Sequence, residues 1–134
     1  MKGITMAYYL SKMVGLEFDE AVGRIREELA KEGFGILTEI DVRETLKKKL
    51  YVDVPQYIIL GACNPVLAYR ALMAEPHIGV LLPCNVILRQ GEAGKVEIAA
   101  MDPVETIASV LNPAVMNVAV EVRKRLKSAI NRIS

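Results

Sequence analysis

Residues 61–88 read GACNPVLAYRALMAEPHIGVLLPCNVIL. This segment holds both cysteines and the one histidine of the chain. A Cys-Asn pair stands at each end, Cys63-Asn64 and Cys84-Asn85. Each adjoins a proline, Pro65 after the first pair and Pro83 before the second. Just upstream, Val54 to Cys63 reads as a strand, because Tyr57, Ile58, Ile59 and Leu60 form an unbroken apolar run that suits a covered strand. Asn64 has the side chain of a helix N-cap. Pro65 follows at the first helical position, where a missing N–H costs nothing. Leu67, Ala68, Ala71 and Leu72 continue at helical spacing, and Pro76 stops the helix near Glu75. A second strand is expected from about Val80 to Arg89, with Pro83 marking an edge or a bulge, since it cannot donate to a ladder.

Cys63 therefore stands directly before a helix N-terminus, where unpaired N–H groups and the positive dipole end favour an anion. A partly exposed thiolate would be stabilised there. Cys84 comes close if the two strands pair side by side. The ligand-site candidates are Cys63, Asn64, Pro65, Cys84 and Asn85, with a small anion as the expected occupant. The alternative is thiol-redox or metal chemistry. Cys63, Cys84 and His77 offer three ligands for copper or zinc, although no CxxC is present. A free cysteine is also an ordinary small buried hydrophobe, and a disulfide needs Cα atoms within about 7 Å.

The chain has 134 residues and no composition break, so a single domain over 1–134 is expected. A net charge of +1 gives no global pull toward nucleic acid or an acidic membrane. Two cysteines without a secretion signal fit a reducing cytoplasm. No apolar run is long enough to span a bilayer.

Outside the central segment the pattern alternates between two periods. Ile4, Met6, Tyr8 and Leu10 mark one face of a first strand. Phe18, Ala21, Val22, Ile25 and Leu29 recur at helical spacing, with Asp19 and Glu20 in the first turn and Gly33 as the stop. Phe34 to Val42 alternates as a strand, and Arg43 to Leu50 forms a short helix whose Lys47-Lys48-Lys49 run is read as a solvated face. Gln90 to Gly94 is a hairpin loop, and Val96, Ile98 and Ala100 lie in the return strand. Asp102-Pro103-Val104-Glu105 is a helix start, and Asn112-Pro113 opens a final helix. The order implies an α+β fold: two layers, a mixed or antiparallel sheet of about five strands, and helices largely on one face.

Recognisable enzyme machinery is missing. One histidine gives no triad signal, and neither GxGxxG nor GxxxxGK[ST] occurs. The final helix carries Arg123, Lys124, Arg125, Lys127 and Arg132 off its apolar stripe. No aromatic platform accompanies them, so ordinary solvation is the reading and nucleic acid is not expected.

The motifs ILGACNP and LLPCNV, in that order and at this spacing, with KEGFGILTEIDVRETLKKKL upstream and VEIAAMDP downstream, resemble the domain-of-unknown-function 302 family over roughly residues 17–110. Gly61, Cys63, Asn64, Pro65, Leu82, Pro83, Cys84, Asn85, Asp102 and Pro103 fall on the pattern. The resemblance implies a compact two-layer α/β domain that forms a homodimer. It carries over no catalytic mechanism.

Overall fold

A computed structural model describes residues 7–134. Five strands, β1 (Tyr9–Val14), β2 (Gly35–Asp41), β3 (Tyr57–Cys63), β4 (Cys84–Gln90) and β5 (Val96–Met101), form one sheet in the order β1-β5-β4-β3-β2. Every neighbouring pair is antiparallel. The helices are α1 (Phe18–Lys31), α2 (Val42–Leu50), α3 (Pro65–Ala74), α4 (Pro103–Ile107) and α5 (Pro113–Asn131). The fold is α+β, as the alternating periods imply.

Alternation sends Ile58, Leu60 and Ala62 of β3, Cys84, Val86 and Leu88 of β4, and Val96, Ile98 and Ala100 of β5 to one face. Helix α1 covers that face through Phe18, Ala21, Ile25 and Leu29. Helix α5 covers it through Val122, Leu126, Ala129 and Ile130. Each fully buried Leu or Ile of this layer contributes about 1.5–3 kcal/mol. A smaller second cluster, Ala71, Ile78, Ile107, Val115 and Ala119, sits under α3 and α4. Helix α5 serves both clusters. Helix α3 rests mainly on α5 and on a short 3₁₀ segment, Pro76–Leu81, and reaches the sheet cluster through Leu67.

Side-chain amides hold α3 at both ends. Asn64 caps its start by accepting from Leu67 N–H at 3.3 Å and donates to the carbonyl of Glu32 at 3.1 Å. Asn112 caps α5 and donates to the carbonyl of Ala74, the last residue of α3, at 3.0 Å. The N-cap and Pro assignments at Asn64-Pro65, Asp102-Pro103 and Asn112-Pro113 all hold.

Three expectations need correction. The strand placed at about Val80 begins only at Cys84, because Pro76 opens the 3₁₀ segment, where the Glu75 carboxylate accepts from His77 N–H at 3.1 Å. Pro83 marks neither an edge nor a bulge: β4 lies between β3 and β5, and Pro83 stands one residue before the ladder. The register shift falls instead in β2, between Ile36 and Thr38. The first strand runs Tyr9–Val14 and shares only Tyr9 and Leu10 with the expected span; Ile4 and Met6 lie outside the described residues.

Three of the five basic residues at this end of the chain are paired rather than simply solvated: Arg123 with buried Asp102, Arg125 with Glu121 and the Glu32 carbonyl, and Arg132, just past α5, with Glu28 and Glu32. In α2, Lys47 pairs with Asp53 and Lys48 with Glu44.

Candidate functional site

The two apolar clusters do not fuse, and a cavity of about 280 Å³ lies between them. Its walls come from the Cys63–Cys84 end of the sheet, the inner side of α3, the 3₁₀ segment, α4 and α5. Small side chains on facing helices, Ala68 and Ala71 of α3 and Ala119 of α5, leave the space open. No lining side chain among the described residues is charged. The volume is at the small end of ligand pockets, which run to about 300–1,000 Å³.

Both cysteines border this cavity. The register explains why. Cys84 is the Cα partner of Ala62, so Cys63 lies one residue beyond that partner, where β3 turns into α3. Both thiols are free; Cys63 is half-buried and Cys84 buried. Burial pushes the Cys84 thiol up to about 11, and charge on Cys63 adds to the shift. Cys84 is therefore a neutral thiol at physiological pH.

The other candidates separate. Asn64 lines the cavity, but its carbonyl oxygen and amide nitrogen are engaged by Leu67 and Glu32. It shapes the site rather than offering free groups to it. The Leu67 N–H, one of the donors an anion would use, is thereby taken. Pro65 is exposed at the start of α3 and is not part of the wall. Asn85 points away, into a shallow groove on the opposite face of the sheet with Tyr9, Tyr57 and Arg89. His77 is 90 % exposed and lies 3.3 Å from Glu75; it does not join the thiols. Among the described residues, no three His, Cys, Asp or Glu side chains gather as a metal site.

Residues that the sequence did not single out complete the walls: Leu37 at the β2 irregularity, Met101, and Ile107, Val115, Val118, Ala119 and Val122 from α4 and α5. The available signal was Ala119 in the apolar stripe of α5, a small residue where larger ones flank it.

The face of the sheet that no described helix of the main core covers, the uncovered face, has its own pattern. Ladder partners place Ile40, Ile59, Ile87, Ala99 and Ser11 in one row across all five strands. Arg89 and Glu97 pair beside that row at 2.6 Å. One-sided antiparallel sheets ordinarily turn polar residues outward, so an isoleucine row there is a departure.

These features define a class: an α+β domain with a one-sided antiparallel sheet and a hydrocarbon-lined cavity at its thiol-bearing end. Comparison with known proteins supplies the family. The profile of the domain of unknown function DUF302 matches residues 10–133, and the chain belongs to that family. A crystal structure of an uncharacterized conserved DUF302 protein from Bacillus stearothermophilus is similar, with a TM-score of 0.88 and 30 % identity over 95 % of this chain and 98 % of that one. An uncharacterized protein of Aquifex aeolicus (strain VF5) is 22 % identical over 128 residues, 93 % of this chain and 83 % of that one. No described helix is long and apolar enough to cross a membrane.

Proposed function

We propose that this domain binds a small, uncharged, largely apolar ligand in the cavity between α3 and the Cys63–Cys84 end of the sheet. One observation carries the reading: about 280 Å³ of space is walled by hydrocarbon and two thiols, with no charged side chain among the described residues. Apolar surface removed from water contributes roughly 25 cal/mol per Å², so a ligand that fills such a wall needs few polar contacts. An anion, the occupant suggested by the helix start, would find no cation in this lining. Two unpaired thiols support a reducing, cytoplasmic setting.

Thermal shift with straight-chain alcohols and the matching carboxylates tests this. The melting temperature is expected to rise with alcohol chain length and then level off when the cavity is full, with the carboxylates weaker than the alcohols. No shift with any neutral chain overturns the reading. Stronger shifts with the carboxylates would restore the anion.

A second reading is an interaction module that pairs through the uncovered sheet face with a second copy of the chain. The isoleucine row favours it. Five strands about 4.8 Å apart and about 20 Å long present roughly 500 Å² per copy, close to half of the approximately 1,000 Å² that a specific interface needs. Light scattering at micromolar concentration is expected to give a dimer, and Ile87→Glu a monomer with unchanged circular dichroism. A monomeric parent protein overturns this reading.

A further inference from the structure

Helix α3 lacks the polar outer face that α1 has. A helix at the surface of a globular domain turns charged and polar residues outward, and α1 does so with Asp19, Glu20, Glu27 and Lys31. On α3, Val66, Tyr69 and Met73 follow at i, i+3 and i+7, one stripe of the helix, and are 63 %, 65 % and 65 % exposed. Leu72 stands three residues from Tyr69, on the same side. Leu72 and Leu37 both line the cavity and are both exposed, so they lie at its mouth. The apolar stripe of α3 therefore runs into the opening of the cavity. Charges are scarce around it. Arg70 and Glu75 are the only Asp, Glu, Lys or Arg from Cys63 to Pro83, and Glu105 is the only one from Pro103 to Val120, in a chain that is 25 % charged.

Cations flank the stripe where α3 meets α5. The Glu121 carboxyl of α5 is held below the ordinary carboxylate range, first by its hydrogen bond from Arg125 and further by the charges of Lys124 and Arg70, so three cations surround one carboxylate. Arg70 and Lys124 are exposed and make no ion pair among the described residues. The face thus joins an apolar centre to a locally positive flank, although the whole chain carries only +1. That combination matches hydrocarbon lying beneath anionic groups. A second copy of the chain fits less well. Helix α3 is about 15 Å long and about 10 Å wide, so its stripe presents roughly 150 Å², far below the approximately 500 Å² per copy that a specific interface needs. A bilayer sets no such threshold: binding grows with each apolar side chain buried and each cation brought near the surface.

We infer that the outer face of α3 docks on an anionic lipid surface. Val66, Tyr69 and Met73 enter the boundary between headgroups and acyl chains, where a tyrosine keeps its hydroxyl in the wet layer. Arg70 and Lys124 meet the headgroups. The mouth at Leu37 and Leu72 then opens toward hydrocarbon, so an apolar guest reaches the cavity without crossing water. No described helix is long and apolar enough to cross a membrane, so the contact is peripheral. Docking uses only the outer face and does not rest on occupancy of the cavity.

The test is cosedimentation of the full chain with vesicles of phosphatidylglycerol and, separately, of phosphatidylcholine. The chain is expected to pellet with the first and much less with the second. Met73→Glu, which removes an apolar anchor and brings a charge to anionic headgroups, is expected to weaken binding at least about tenfold. Arg70→Gln is expected to weaken it about fivefold, the effect of one basic residue near such a surface. Leu50→Ser, on an apolar side chain of α2 that is 63 % exposed, is expected to bind like the parent. All three positions are exposed, so circular dichroism should be unchanged. No pelleting with phosphatidylglycerol, equal pelleting with both lipids, or undiminished binding by Met73→Glu would overturn the inference. So would a loss in Leu50→Ser as large as in Met73→Glu, the mark of unspecific adhesion. A lipid-free dimer that Met73→Glu dissolves, with no uptake by vesicles, would overturn it in favour of a second copy. Vesicle binding by a chain that takes up no neutral alcohol supports docking and overturns only the apolar-ligand reading.

Discussion

Asn64 Nδ2 donates to the carbonyl of Glu32 at 3.1 Å, and so ties the start of α3 to the end of α1. The same carbonyl accepts from Arg125 of α5 at 3.2 Å. Three helices therefore meet at the residue next to Cys63. Gly33, at φ +88°, belongs to this junction, for a Cβ there would come within 3.0 Å of Asn64 Nδ2.

Removing Asn64 is expected to loosen that junction. Asn64→Ala loses both the cap on Leu67 and the tie to Glu32, at a cost of about 1–2 kcal/mol. Asn64→Asp keeps the capping oxygen and should lose less. Urea denaturation of the three proteins checks the order. Equal stability of parent and Asn64→Ala would show that the amide holds nothing.

Gly61 is fixed by crowding. A Cβ on it would collide with Thr38 Oγ1 and with Pro83 Cγ. Gly61→Ala is expected to destabilise by roughly 1–3 kcal/mol, the usual cost of overpacking. Gly61→Ala in a Thr38→Ala background should recover part of it. A neutral Gly61→Ala would mean that Thr38 and Pro83 move aside freely.

Glu28 makes stability depend on pH. Its carboxylate is 4 % exposed and takes hydrogen bonds from Arg132 and Lys31, which hold its pKa at about 2 against an ordinary 4.5. The folded value lies below the unfolded one. The contribution is therefore present above pH 4.5 and is lost as pH falls from 4.5 toward 2. Urea midpoints measured across that window should fall, and Glu28→Gln, less stable at neutral pH, should fall less. Parallel curves for the two proteins would refute the assignment.

The thiols should differ in reaction with iodoacetamide. Cys63 is half-buried at the cavity, whereas Cys84 is buried and its thiol is pushed up to about 11. At pH 8 one carboxamidomethyl group is expected per folded chain, on Cys63, and two after denaturation. Mass spectrometry of the peptides reads this. Modification of Cys84 first would contradict the placement.

Much of this arrangement is legible in the chain. Local chemistry carries it: Asn64, Asp102 and Asn112, each followed by proline, cap helices where their side chains imply, and Ile58, Leu60 and Ala62 alternate inward as a covered strand should. What depends on distant partners is less visible. Pro83 could be assigned to β4 because nothing local reveals that the ladder begins one residue later. Asn85 looks equivalent to Asn64, yet strand alternation turns it to the opposite face. That Cys63 and Cys84 border one cavity follows from a register that pairs Ala62 with Cys84. Much of the hydrocarbon character of the cavity comes from α4 and α5, forty or more positions downstream of Cys63, and no pattern around Cys63 announces it.

The central claim is that the cavity takes an apolar guest, and filling it from within tests that most directly. Ala119 of α5 is buried in its wall. Titration with the fluorescent probe N-phenyl-1-naphthylamine is expected to saturate at one probe per parent chain. Ala119→Leu should abolish that binding while keeping or raising the melting temperature, as cavity-filling substitutions do. No saturable binding to the parent, or equal binding to a folded Ala119→Leu, would contradict the account.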